Sequence, residues 1–178
     1  AVTNTDHSDS HGIQVDGIAA NDTIYRFHSW EGRTNPNDVL VDALTQGISY
    51  GCRSLVVETD QGGDTWLSVY DAAVAKLRQD GALERTIMVP QFEGRKAGAG
   101  YGSKVERQSR MAADYRLGGR IVHVIGTHET LETALIRFGA VKPFDLGDAA
   151  FWSWLYLREL DRTPYPGAGG PTGPSTWR

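Results

Sequence analysis

Apolar and polar residues alternate along residues 12–18 and again along 23–30, with the turn-forming pair Asn21-Asp22 between them. That period of two predicts half-buried strands joined by a short connection. Residues 2–6 (Val2-Thr3-Asn4-Thr5-Asp6) read as a further strand ending on an acid, and the polar, turn-rich residues 7–11 link it to the next. Three successive strands with short connections predict an antiparallel meander. The abrupt beginning of the chain reads as a domain cut from a longer protein.

The period then changes. Asn35 supplies a helix cap, Pro36 suits the first helical position and Asp38 brings an early acid, so a helix is expected from there to about Tyr50, with Leu40, Val41, Leu44 and Ile48 on one face. Residues 54–58 form a short apolar run that suits a buried strand. A helix from about Asp64 follows, packed by Leu67, Tyr70, Val74 and Leu77 and ended by Gly81. Residues 86–89 read as another strand, closed by Pro90. Residues 94–102 are glycine-rich and predict a mobile loop, after which Ser103 opens a helix to about Leu117. A strand at 120–125 precedes a helix capped by Thr127 and packed by Leu131, Ala134, Leu135 and Phe138. The acids Asp145 and Asp148 introduce a last apolar helix over 149–160. Pro143 and Gly147 place Asp145 in the turn before that helix and Asp148 at its mouth. A meander followed by strands alternating with helices predicts an α/β domain with a mixed sheet over residues 1–162. The Pro/Gly-rich residues 163–178, with Trp177 near the end, read as a flexible or docking tail.

The stretch Ser54-Leu55-Val56-Val57-Glu58-Thr59-Asp60-Gln61-Gly62-Gly63-Asp64 carries the first chemical signal. A carboxylate at the tip of a buried strand is costly unless a cation or polar partner sits there, so Glu58 is a metal ligand or half of a structural ion pair. Ligand sites in such sheets lie off the carboxyl ends of parallel strands, where Asp6, Glu58 and the Asp145/Asp148 pair converge if the first strand neighbours the Glu58 strand. Clustered carboxylates without cysteine or spaced histidines suit magnesium or manganese rather than zinc. Asp64 and Asp148 also sit where a helix N-terminus favours an anion.

Bulk properties narrow the classes. At 178 residues one domain is expected, with a core large enough to need no staples. A single cysteine, Cys52, excludes an intrachain disulfide, suits a reducing cytoplasm and reads as a small core residue. No window reaches the ~18 apolar residues of a membrane helix. The formal charge of −4 argues against a protein coated in nucleic acid but not against one local basic groove. Between Gly94 and Arg120 such a groove is suggested: Arg95, Lys96, Lys104, Arg107, Arg110, Arg116 and Arg120 face only Glu106 and Asp114. These suit backbone phosphates, or else a solvated helix face. Lys104, at the loop-helix junction, is placed to reach a scissile phosphate. Gly98-Ala99-Gly100-Tyr101-Gly102-Ser103-Lys104 imitates a phosphate loop, yet Gly-Lys-Ser/Thr does not occur in that order. The histidines show no metal-binding spacing. His123 reads as a packed or surface imidazole, and His7 as a neighbour of Asp6 able to assist proton transfer. Trp152, Trp154 and Tyr156 read as core or docking aromatics.

The string Val56 to Asp64 resembles the segment of tailed-phage terminase large subunits in which an acid at a strand end precedes an Asn/Gln-Gly-Gly-Asp turn. Lys104-Val105-Glu106-Arg107, then Gly119-Arg120-Ile121-Val122-His123-Val124 with Leu131-Glu132, then Asp145-Leu146-Gly147-Asp148-Ala149-Ala150-Phe151-Trp152, keep the order of that nuclease domain over residues 2–160. The resemblance implies an RNase H-like fold and an endonuclease that cuts double-stranded concatemeric viral DNA during packaging with two Mg2+ or Mn2+ ions. It implies Asp6, Glu58 and Asp148 as metal ligands, with Asp145 as a fourth; the charge and position of the basic stretch, not the resemblance, put Lys104 in the catalytic site and make Arg95, Lys96, Lys104 and Arg107 the expected DNA contacts. The family's first acid is often followed by Pro and a small residue, whereas His7-Ser8-Asp9 follows Asp6 here, so Asp9 is the alternative. Implied partners are DNA, an N-terminal packaging ATPase of the same full-length protein, the small terminase subunit and the portal, in the host cell cytoplasm. A junction resolvase or integrase-like nuclease of the same fold, or a non-catalytic DNA-clamping or motor-docking module, are the other readings.

Overall fold

The computed structural model describes residues 10–60, 62–63, 65–124, 126, 128–137, 140 and 145–160. Strand β1 (His11–Ile18) and strand β2 (Ile24–Gly32) form the expected antiparallel hairpin, in register from His11 opposite Gly32 to Ile18 opposite Ile24, with an irregularity between Val15 and Asp16. Asn21 builds the turn by accepting the Thr23 N–H, and Asp22 takes a positive φ of 63°, which an aspartate tolerates better than most residues. Helix α1 (Pro36–Ser49) starts as its cap signal predicts: the Asn35 side chain accepts the Asp38 N–H at 3.0 Å. Its inward face is centred on Val39, Leu40, Ala43, Leu44 and Gly47, while Val41 and Ile48 only flank it.

Strand β3 (Ser54–Glu58) lies where it was expected, and helix α2 (Thr65–Gln79) follows. α2 buries Ala73 and Leu77, but Leu67 points outward because Trp66, Val69 and Tyr70 turn their side of the helix to the core. The strand expected at 86–89 is not there. Ile87 and Met88 are exposed, and strand β4 (Gln91–Arg95) begins beyond Pro90, paired parallel to β3 from Ser54 opposite Gln91 to Glu58 opposite Arg95. Pro90 has no N–H for a ladder, so pairing starts one residue later, where Gln91 donates to the Arg53 carbonyl. Residues 94–102 are accordingly not one loop: Gly94 and Arg95 belong to β4, and Gly98–Tyr101 forms a single turn, α3.

Helix α4 (Lys104–Arg116) opens on a reciprocal box, with Ser103 accepting the Glu106 N–H and Glu106 accepting that of Ser103. Strand β5 (Ile121–His123) is shorter than expected and adds parallel to β2. Helix α5 (Glu129–Ile136) follows His128 at its cap position, and Thr127 and Phe138 lie outside the described residues. Helix α6 (Asp145–Leu160) starts one turn earlier than the sequence suggested, so Asp145 is helical rather than in a preceding turn.

Among the described residues the strands form a mixed three-stranded sheet, β1-β2-β5, and a parallel pair, β3-β4. α6 crosses the hairpin so closely that a Cβ on Gly12 would stand 2.5 Å from the Leu146 Cα, which is why that position has no side chain. One apolar cluster packs Ile24, Met111, Ile121 and Leu131 against Leu146, Phe151 and Trp152 of α6; another joins Ile13 to α1 and α2 through Leu40, Leu44, Ala73 and Leu77. Inside the first lies a buried polar group. Arg26 and Asp16 have fully buried side chains in an ion pair at 2.6 Å, and Arg26 Nε donates to the Tyr115 hydroxyl at 2.8 Å. The Tyr115 hydroxyl also meets His123 Nε2 at 2.8 Å, and His123 Nδ1 meets Glu132 at 2.8 Å, so His123 is a linked imidazole rather than a free one. Asp6, His7, Asp9, Asp64 and the tail at 163–178 lie outside the described residues.

Candidate functional site

β3 carries Glu58 at its carboxyl end, and two helices bring charge to that point. Lys104 and Arg107 stand three apart in the first turn of α4, and Asp145 and Asp148 three apart in the first turn of α6. That spacing puts each pair on one face of its helix, and α4 and α6 pack together. The faces meet charge to charge. Lys104 Nζ is 2.7 Å from Asp145 Oδ1 and 3.8 Å from Asp148 Oδ2. Arg107 grips Asp148 with its fork, Nε donating to Oδ1 at 2.8 Å and Nη2 to Oδ2 at 2.6 Å. A planar guanidinium matches a carboxylate in this way, which fixes orientation as well as charge.

The rest of the Arg107 side chain is equally committed. Nη1 donates to the Gly102 carbonyl at 3.2 Å, Nη2 lies 3.6 Å from Glu58 Oε1, and the guanidinium sits 5.5 Å from the Trp152 ring centre. Trp152, four residues after Asp148 on α6, donates its indole N–H to Glu58 Oε2 at 3.3 Å. Asp145 also accepts from the Ser10 hydroxyl at 2.7 Å, and Glu31 accepts the Leu146 N–H at 3.2 Å, satisfying a donor of the α6 N-terminus. Three predicted acids, Glu58, Asp145 and Asp148, are therefore brought together, with Lys104 among them.

The predicted basic residues divide. Arg107, expected as a phosphate contact, has a side chain only 4 % exposed, because Asp148 and Glu58 draw it inward. Arg95 is tied to Glu159 at 3.1 Å and lies over Tyr156 at 5.5 Å. Lys96 is exposed just beyond the end of β4. The Arg107 clamp and the Trp152 hold on Glu58 were not read from the chain. A signal existed in the matched spacings, Lys-x-x-Arg against Asp-x-x-Asp, which are complementary once the two helices are known to touch.

Burial, and after it the neighbouring Asp148 carboxyl, push the Glu58 carboxyl up from its ordinary 4.5 to about 7, against the opposing pull of Arg107 and Trp152. Burial disfavours the Lys104 ammonium, yet Asp145, Asp148 and Glu58 outweigh it and raise its pKa. Because the folded pKa of Glu58 is raised, its protonated form favours the fold: that contribution is whole below about pH 4.5 and is lost as pH rises through about 7. Glu58→Gln should therefore melt at least as high as the parent at pH 8 without metal and should lack the parent's decline between pH 5 and 8. A lower melting temperature at pH 8 would make Glu58 a structural ion-pair partner.

Among the described residues no three His, Cys, Asp or Glu side chains are grouped closely enough to hold a metal as they stand. The donor chemistry nonetheless fits a hard cation: the acids supply only oxygens, Asp148 stands close enough to Glu58 to help raise its pKa, and positive side chains are already drawn among them. No protein-family model matches this sequence, and no curated protein matches it. Among the described residues no helix is long and apolar enough to cross a membrane.

Proposed function

We propose that this chain is a divalent-metal-dependent endodeoxyribonuclease of RNase H-like fold, similar to the nuclease domain of tailed-phage terminase large subunits, that cuts double-stranded viral DNA concatemers during packaging. The observation that carries the reading is the convergence of Glu58, Asp145 and Asp148 with Lys104 at the carboxyl end of parallel strand β3. An antiparallel hairpin followed by a parallel strand pair, with helices between, is in keeping with that fold.

Glu58 and Asp148, with Asp6 and Asp145, would hold the ions. Two such ions, when bound, neutralise the leaving oxygen and supply a reactive water at neutral pH. The chain's own residues do the rest: Trp152 aims Glu58, Lys104 offers an ammonium to the backbone phosphate, and exposed Lys96 binds phosphate by charge regardless of sequence. The partners follow from the same reading: double-stranded DNA, a packaging ATPase domain of the same protein, the small terminase subunit and the portal, in the host cytoplasm.

Incubation with linear duplex and with a four-way junction in Mn2+ tests it. Cleavage of the linear duplex as readily as the junction, abolished by chelation, is expected. Marked preference for the junction would point to a resolvase. Intact DNA together with no saturable Mn2+ binding would point to a clamping module.

A further inference from the structure

We propose that Arg107, assisted by Lys104, is a built-in counter-cation of the acid cluster that a divalent ion has to displace, so the fold itself resists ion binding. The inference rests on reading this cluster as a divalent-ion site. Both oxygens of Asp148 already accept from Arg107, at 2.8 and 2.6 Å, and Glu58 Oε1 faces the same guanidinium at 3.6 Å. An ion shared by Glu58 and Asp148 needs those oxygens at about 2.0–2.6 Å. A guanidinium at its present distance would then stand against a doubly charged ion, and like charges so close in a buried setting repel strongly. Lys104 repeats the conflict, bridging Asp145 at 2.7 Å and Asp148 at 3.8 Å.

Arg107 is held in place as a resident. Gly102 takes one of its donors, Trp152 lies beneath it, and its side chain is 4 % exposed, unlike a cation waiting on the surface for phosphate. Ion entry therefore requires Arg107 to leave Asp148, and only then is it free to meet a DNA phosphate. Ion binding and phosphate contact are coupled through one side chain. The population of the Arg107-displaced form scales the apparent ion affinity.

Titration calorimetry with Mn2+ on the full chain, for the parent, Arg107→Gln, Arg107→Lys and Lys104→Gln, measures the coupling. Arg107→Gln is expected to bind Mn2+ about tenfold more tightly or better, Lys104→Gln severalfold more tightly, and Arg107→Lys between the parent and Arg107→Gln. Lys104 is 39 % exposed, so Lys104→Gln folds even where Arg107→Gln does not. In the parent, Mn2+ should also expose Arg107 to modification by phenylglyoxal, read by mass spectrometry. Unchanged or weaker Mn2+ binding in the variants, against a parent that binds, overturns the displacement alone. If neither parent nor variants take up Mn2+, the metal-site reading itself fails and this inference with it.

Discussion

Asp148→Asn should abolish DNA cleavage at every Mn2+ concentration and should also weaken the fold, whereas Asp145→Asn should keep activity that excess Mn2+ partly restores. Asp148 is the buried member of the pair, with a side chain only 3 % exposed, and it accepts both arms of Arg107. Neutralising it takes the close carboxylate from a buried guanidinium and leaves the more distant Glu58, at 3.6 Å, to balance the charge. Breaking a buried pair from one side costs roughly 3–5 kcal/mol, so a fall in stability of about 3 kcal/mol is expected. Asp145 and Lys104 are 20 % and 39 % exposed, and such wetter pairs contribute only about 0–1 kcal/mol. An asparagine there can still accept from Ser10. Denaturant unfolding beside a cleavage assay separates the two effects. A dead but stable Asp145→Asn with a rescued Asp148→Asn would reverse the assignment and reduce Asp148 to a helix-end anion.

Arg26→Met should lower the melting temperature by about 10 °C through a buried group that holds none of the candidate site's acids. Its guanidinium is fully buried, paired with an equally buried Asp16 at 2.6 Å, bonded to Tyr115 and close to the Ala150 carbonyl at 3.4 Å. Methionine keeps the stem but strands the Asp16 carboxylate, which among the described residues retains the Gln14 amide as a side-chain donor. A loss of roughly 3–5 kcal/mol follows from an uncompensated buried charge, at about 2–4 °C per kcal/mol for a chain of this size. Adding Asp16→Asn should recover much of it, since the penalty lies in the unpaired charge rather than in the missing bond. A shift under about 3 °C for Arg26→Met would mean that water reaches Asp16.

Elements whose signals are local were legible in the chain. Asn35-Pro36 and Ser103 set the starts of α1 and α4, and the alternation around Asn21-Asp22 set the hairpin. Elements decided by distant neighbours were not. Ile87-Met88-Val89 has the composition of a strand, yet the ladder with β3 takes Gln91–Arg95, in which Phe92 is the sole large apolar residue. At Asp145, Pro143 and Gly147 suggest a turn, but Glu31 capping Leu146 and the close approach over Gly12 hold that segment helical. The candidate acids show the same division. Glu58 at a strand tip was readable from the pattern, while the inward turn of Arg107 depends on two helices 41 residues apart in the chain.

Crystals soaked in Mn2+ and measured at the manganese absorption edge test the central claim most directly. Anomalous peaks bonded to Glu58 and Asp148 oxygens, with Arg107 moved off Asp148, are the predicted result. Well-ordered crystals with the Arg107–Asp148 pair intact and no peak at the end of β3 would contradict it.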